Sequence, residues 1–347
     1  MNTFKTQIWT WMRTEGGSIC DSCCSYHARE TAVSCTGRAF FLSSSPALYK
    51  HCTLFGSTKQ VDMSGAARYD FTGRAGRERK SHKMTHALFA HRDTSSARPG
   101  KGETQEDFIK RLTHLKLQDK NIKDIENLED VEKLQVLYLQ DNKVTSMAPL
   151  GTCSSLINLH LSRNNIRVIE GLHAAKNLKK LFLDGNELTH IAGLEMNPQL
   201  EELNLNNQRM PAGASLTFDE GCLEVWGGNL AKLSVDGNNI MSLVPFQKCT
   251  ELSSFSCRDN AIQKVEEVVE LAASLRDMST LDLRGNRVCR VPKYRETVLI
   301  NCSASLQTLD SKDIDGKQRD ALIRFAQHRQ QRSRKPLGTR QQEQQQM

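Results

Sequence analysis

Long apolar runs are missing from these 347 residues. No stretch approaches the about 18 to 20 apolar residues that a bilayer-spanning helix needs. The N-terminus, MNTFKTQIWTWMRTEGG, has no sustained apolar core leading to a small-residue cleavage site, so neither a membrane partner nor a secretory leader is expected. Catalytic signatures are missing too. There is no G-x-S-x-G elbow, no H-E-x-x-H pair, no Walker loop and no kinase set. RAGRERKS at 74–81 has no glycine just before Lys80, so the peptide cradle of a phosphate loop is absent. The chain therefore reads as a non-enzyme that needs no cofactor.

Paired cysteine spacing is also lacking. Cys153, Cys222, Cys249, Cys257, Cys289 and Cys302 stand singly, and an odd total of 11 cannot all pair. They read as reduced, structural thiols of a cytosolic or nuclear chain. Cys20, Cys23 and Cys24, with Cys35, Cys52, His27 and His51 nearby, supply half of a common zinc pattern. No second close pair completes it, so a solvated reduced tail is expected rather than a metal site.

What is present is a leucine grid. Between Leu112 and Val291 the template L-x-x-L-x-L-x-x-N-x-[IVLM] recurs, as in Leu134, Leu137, Leu139, Asn142, Val144 and again in Leu156, Leu159, Leu161, Asn164, Ile166. The repeats start at Leu112, Leu134, Leu156, Leu178, Leu200, Leu230, Leu252 and Met278, in steps of 22, 22, 22, 22, 30, 22 and 26. A period held so strictly signals an α/β leucine-rich-repeat solenoid of about eight repeats. Alternation along each short strand sends the paired leucines inward and the residue between them outward. The strands line a parallel concave sheet, and the return segments form a convex back of short 3₁₀, irregular or helical pieces. Each repeat's asparagine falls where the chain leaves the strand and peptide groups lose their ladder partners, so Asn142, Asn164, Asn186, Asn238, Asn260 and Asn286 form a structural ladder.

The outward residues predict one column, Lys116, Tyr138, His160, Phe182, Asn204, Ser234, Ser256 and Asp282. Lys180, Asp184 and Glu202 flank it. Exposed aromatics beside a few charges bury much area with few rotors to freeze, so Tyr138, His160, Phe182, Lys180, Asp184, Asn204 and Glu202 are the candidate partner-binding residues. A contact between His160 and Asp184 is feasible, but a nucleophile and an oxyanion site are missing beside it.

Two repeats depart from the period. Gln208 replaces the asparagine, and an eight-residue excess follows Arg209-Met210-Pro211; Phe218, Leu223, Val225 and Trp226 are expected over the convex side or an edge. Val265, Val268, Val269, Ala272 and Leu275 have helical spacing and predict a longer convex helix.

The ends differ from the stack. Residues 1–102 read as a basic, disordered region, with SSARPGK at 95–101 as linker. Residues 103–316 form the repeat domain with its caps. ETQEDFIKRL covers one open end, and a returning helix bearing Tyr294, Val298, Leu299, Leu306, Leu309 and Ile314 covers the other. Residues 317–347 are a basic, Gln-rich helix and tail, with Leu322, Phe325 and Ala326 on one side. The net charge of +7 lies in the ends, since residues 101–316 hold more Asp and Glu than Lys and Arg. A concave nucleic-acid grip is therefore not expected, although the basic ends could touch RNA, tubulin or an acidic membrane surface.

The 22-residue repeats, NNQRMP at 206–211, LDLRGNRVCRVPKYR at 281–295 and SLQTLD at 305–310 resemble the leucine-rich-repeat regulatory subunits of protein phosphatase 1 found in testis. The resemblance covers about residues 104–315. It implies a non-enzymatic regulator that binds the protein phosphatase 1 catalytic subunit. It also implies association with tubulin, microtubules and motor proteins, and a place in the cytoplasm, the cytoskeleton and the centrosome or microtubule-organising centre. Phosphatase docking segments often carry a basic residue, then Val or Ile, any residue, and Phe or Trp. Val244-Pro245-Phe246 and Ile323-Arg324-Phe325 follow Leu243 and Leu322, with Ser242 and Ala321 before those, so the basic position is missing and docking is expected through the concave column. Two other readings are a microtubule, centrosome or ciliary adaptor, and a spliceosomal repeat scaffold.

Overall fold

A computed structural model describes residues 82–334, apart from Arg92 and Ser96, together with the backbones of two short antiparallel hairpins. The hairpins pair β1 (Thr31–Cys35) with β2 (Arg38–Leu42) and β3 (His51–Leu54) with β4 (Ser57–Gln60), and they belong to a separate unit, residues 1–77. The expected disorder of the remaining N-terminal residues, the Cys20, Cys23 and Cys24 cluster and the end of the tail lie outside the described residues.

The second unit is the solenoid. Its strands are β5 (His114–Lys116), β6 (Val136–Tyr138), β7 (Asn158–His160), β8 (Lys180–Phe182), β10 (Glu202–Asn204), β12 (Lys232–Ser234), β13 (Ser254–Ser256), β14 (Thr280–Asp282) and β15 (Thr308–Leu309), all parallel in one sheet. The central leucines, such as Leu137, Leu159 and Leu181, are fully buried beneath it. Each strand then leaves through a left-handed residue, among them Asp141, Arg163, Gly185, Asn207, Gly237, Asp259 and Gly285.

The asparagines bond the peptides stranded by that exit. Asn164 Oδ1 accepts from the Val144 amide at 2.9 Å, while its Nδ2 donates to the carbonyls of Leu139 and Leu161 at 2.9 and 3.0 Å. Asn142 also donates to Leu139, and Asn186 also donates to Leu161, so consecutive amides share carbonyls. Gln208 performs the same task, accepting from the Leu188 amide and donating to Leu183 and Leu205.

The convex side carries 3₁₀ turns at Ala148–Thr152, Val244–Lys248 and Arg287–Arg290. It also carries helices where the repeats are long. The excess after Gln208 becomes a two-residue strand β11 (Thr217–Phe218), paired in parallel with β9 (His190–Ile191), and a helix over Glu220–Trp226. Phe218 meets Trp226 and Phe246 edge-on there, so the insertion is a packed bulge. Leu203 still pairs with Leu233 across it, and the sheet register is unbroken. The expected longer helix forms over Val265–Ser274 and buries Val268, Leu271 and Ala272.

Both ends differ from the sequence expectation. At the start, the cap begins before residue 103. Helix α1 (His86–Phe89) buries Met84 and Phe89 against the first repeat, ahead of α2 (Gln105–Lys110), which adds Phe108 and Ile109. Thr94 accepts from the Lys116 amide at 2.7 Å, and Ser95 bridges Leu115, so residues 82–102 close the edge of β5 rather than forming a linker. One helical turn is too short to show a period, which hid it. At the other end the returning helix is only Tyr294–Asn301. Leu306 and Leu309 instead begin a ninth repeat, and Leu309 pairs with Leu281 in β15. Asp310 and Ser311, both left-handed, turn the chain into β16 (Lys312–Asp313), which pairs antiparallel and ends the sheet.

The helix Gly316–Arg334 follows, inside the same unit. Its inner face is Arg319, Leu322, Ile323 and Ala326; Phe325, expected beside Leu322, points outward. Among the described residues no helix is long and apolar enough to cross a membrane.

Candidate functional site

The sheet register places Lys116, Tyr138, His160, Phe182, Asn204, Ser234, Ser256 and Asp282 side by side. Neighbouring strands lie about 4.8 Å apart, so aromatic residues at equal positions must lie face to face. Tyr138 and His160 stack at 4.6 Å between centroids, with planes 23° apart, and His160 and Phe182 at 4.4 Å, 7° apart. Aromatic pairs left to themselves prefer offset or edge-on contacts; here the register imposes the stack.

Each of the three rings is half-buried. Burial between two rings pushes the His160 pKa down; Glu202 and Asp184 pull it up less strongly, and Lys180 adds to the depression. The imidazole is therefore neutral at neutral pH. Neither its nitrogens nor the Tyr138 hydroxyl has a hydrogen-bond partner among the described residues.

The flanking candidates are already engaged. Lys180 and Glu202 pair across strands at 3.0 Å. Asp184 accepts from the Ser162 hydroxyl at 2.5 Å, so the contact feasible between His160 and Asp184 does not form. Asn204 Oδ1 accepts from the Asn206 amide at 3.1 Å.

The far half of the wall is satisfied internally. Asn206 Oδ1 accepts from Ser234 and from the Asp236 amide. Asp236, almost fully buried, accepts from Ser256 at 2.6 Å, from the Arg258 amide and from its guanidinium. Burial pushes the Asp282 carboxyl up, but the guanidinium of Arg284 holds it below the usual range. Sequence reasoning missed this network. Its signal was an outward acid, Asp236 two residues past β12 and Asp282 in β14, with an arginine one repeat later at Arg258 or two residues later at Arg284. The wall is thus polar and closed at one end, aromatic and open at the other, and its serines 162 and 256 are bonded to carboxylates and not to a histidine.

Fold and wall together define a leucine-rich-repeat scaffold. No protein-family profile matches the chain. It is similar to U2 small nuclear ribonucleoprotein A′ of Saccharomyces cerevisiae, 28% identical over 88 residues, which are 25% of this chain and 37% of the yeast protein. The chain thus spans little more than a third of that relative's length. Among solved structures it is similar to internalin C2 of Listeria monocytogenes, with 22% identity and a TM-score of 0.46 over 53% of this chain and 76% of that one. An internalin F of the same species gives 22% identity and a TM-score of 0.48 over 59% and 62%.

Proposed function

We propose that the chain is a non-enzymatic protein-binding scaffold whose concave aromatic stack docks a partner, and that this partner is the protein phosphatase 1 catalytic subunit, whose activity or placement it modulates. The observation that carries the docking site is the stack itself: three half-buried rings in register, with unpartnered polar groups, on a wall whose other half is bonded to itself. A preorganised wall loses few backbone freedoms on binding, so affinity concentrates in such anchors. The phosphatase as partner rests on the resemblance of 206–211, 281–295 and 305–310. Of the two short docking segments, Val244-Pro245-Phe246 is a poor alternative because Phe246 is fully buried against Phe218 and Phe255 and cannot be presented, and Ile323-Arg324-Phe325 exposes its phenylalanine but lacks the basic residue before it. The double variant Tyr138→Ala, Phe182→Ala should weaken co-precipitation of the phosphatase while leaving the circular dichroism melt nearly unchanged. Undiminished co-precipitation rejects the concave site.

The likeness to the yeast ribonucleoprotein supports a second reading, a spliceosomal scaffold; nuclear retention and co-purification of small nuclear RNA would favour it. A microtubule or centrosome adaptor is the third. It would lose co-sedimentation when residues 317–347 are removed.

A further inference from the structure

The far half of the concave wall is bonded to itself except at two guanidiniums. Asn204, Ser234 and Ser256 follow Phe182 in the same column, and both serines already donate, to Asn206 and Asp236. These short side chains make a low floor. Over it stand Arg258 and Arg284, whose side chains are 42% and 48% exposed. Each is fixed from beneath. Arg258 donates through Nε and Nη2 to Asp236, only 6% exposed, and Arg284 donates through Nε and Nη2 to Asp282, 12% exposed. Nη1 of each has no hydrogen-bond partner among the described residues. At these two points the charge offered outward is cationic, and its balance lies underneath.

The geometry points to one extended protein segment as the occupant of the wall, with an apolar anchor on the edges of Tyr138, His160 and Phe182 and two Asp or Glu side chains on Arg258 and Arg284. It rests on the docking site proposed above and gives the chemistry of what docks there. Strand spacing sets the register. Asp236, which holds the Arg258 guanidinium, follows β12, two strands from Phe182, and Asp282, which holds Arg284, lies in β14, four strands from it. The forks therefore stand about 10 and 19 Å along the trough. A chain in the polyproline II form rises about 3.1 Å per residue and repeats every three. An anchor at position i and carboxylates at i+3 and i+6 thus share one face and match both forks. Such a chain needs no ladder partner, and the wall offers none. A nucleic acid is disfavoured on two grounds. The rings cover one another at 4.4 and 4.6 Å and leave no gap for a base, and residues 101–316 hold more Asp and Glu than Lys and Arg, which opposes a polyanion. Single carboxylates suit these arginines, because each is already half balanced by the Asp beneath it; a dianionic phosphate would be repelled by that Asp. A flat bilayer does not enter a trough.

The test is selection of a displayed library of random 12-residue peptides on the full chain, with the winners synthesised and titrated by fluorescence anisotropy. Winners should carry an aromatic or large aliphatic residue with Asp or Glu three and six positions away. Changing the outer peptide Asp to Asn, or Arg284→Gln in the protein, should each weaken binding about fivefold, and the two together no further. The peptide change leaves the fold untouched, so it reads the contact even where Arg284→Gln disturbs Asp282. Tyr138→Ala with Phe182→Ala should abolish binding. No enriched peptide, winners without acids at that spacing, losses that add instead of saturating, or tighter binding when phosphoserine replaces the Asp overturns the assignment. If the aromatic pair matters and the arginines do not, the acidic contacts fall and the docking site stands. If the aromatic pair does not matter, both fall.

Discussion

Replacing Asn164 with alanine tests the asparagine ladder, because the bonds lost can be counted one by one. Asn164 is fully buried. Its Oδ1 is the acceptor for the Val144 amide, and no other partner replaces it. Its three carbonyl partners are better protected, since Leu139 keeps Asn142, Leu161 keeps Asn186 and Ser162, 3.3 Å from the amide, keeps the Asp141 amide. The change therefore orphans one buried donor outright and leaves three acceptors with one partner fewer. An orphaned buried donor costs about 1–3 kcal/mol, and the lost packing of the amide adds to it, so Asn164→Ala should cost about 2–4 kcal/mol. Asn164→Asp keeps the acceptor but sets a carboxylate against three carbonyls. Burial raises its folded pKa above the unfolded value near 3.9, so the penalty grows above that pH, and the deficit against wild type should shrink as pH falls from 7 to 5. Urea titration followed by circular dichroism reads both, with midpoints at matched pH. A cost for Asn164→Ala below about 0.5 kcal/mol, or an Asn164→Asp deficit constant with pH, refutes the accounting.

His160 should titrate below the ordinary imidazole value of about 6.5, and an NMR midpoint at or above it contradicts the sandwich. Because its folded pKa lies below its unfolded one, His160 should subtract stability as pH falls through the unfolded value. Burial pushes the Cys222 and Cys249 thiols up to about 12, so neither should react with a maleimide at pH 8 until urea unfolds the chain. Rapid native labelling at either would place it at the surface. A chain starting at residue 82 should outlast one starting at 103 in urea by several kcal/mol, since the shorter loses Met84 and Phe89; equal midpoints would deny residues 82–102 their capping role.

The repeat is legible because its cause is local: Leu137 and Leu139 flank an outward Tyr138 in strand grammar, and the 22-residue step returns the same grammar to the same face. The column 116, 138, 160, 182 followed from counting alone. What counting missed depends on contacts distant in sequence. The turn bearing Met84 and Phe89 is apolar only at two points and makes sense only against the first repeat. Leu306 and Leu309 carry the leucine spacing, but without a following asparagine they resemble a helix face. The stack of Tyr138 on His160 was readable as proximity, while its half-buried, neutral character required the burial that only packing supplies.

The ends of the sheet bear on how the protein meets others of its kind. At one border residues 94 and 95 occupy the outermost strand's bonding groups, and at the other a two-residue reversed strand ends in Lys312 and Asp313. Exposed borders of this sort invite another chain to continue the ladder. With one border occupied and the other cut short and charged, copies of the solenoid cannot readily splice their sheets end to end into a filament. The solenoid should remain a discrete particle at high concentration.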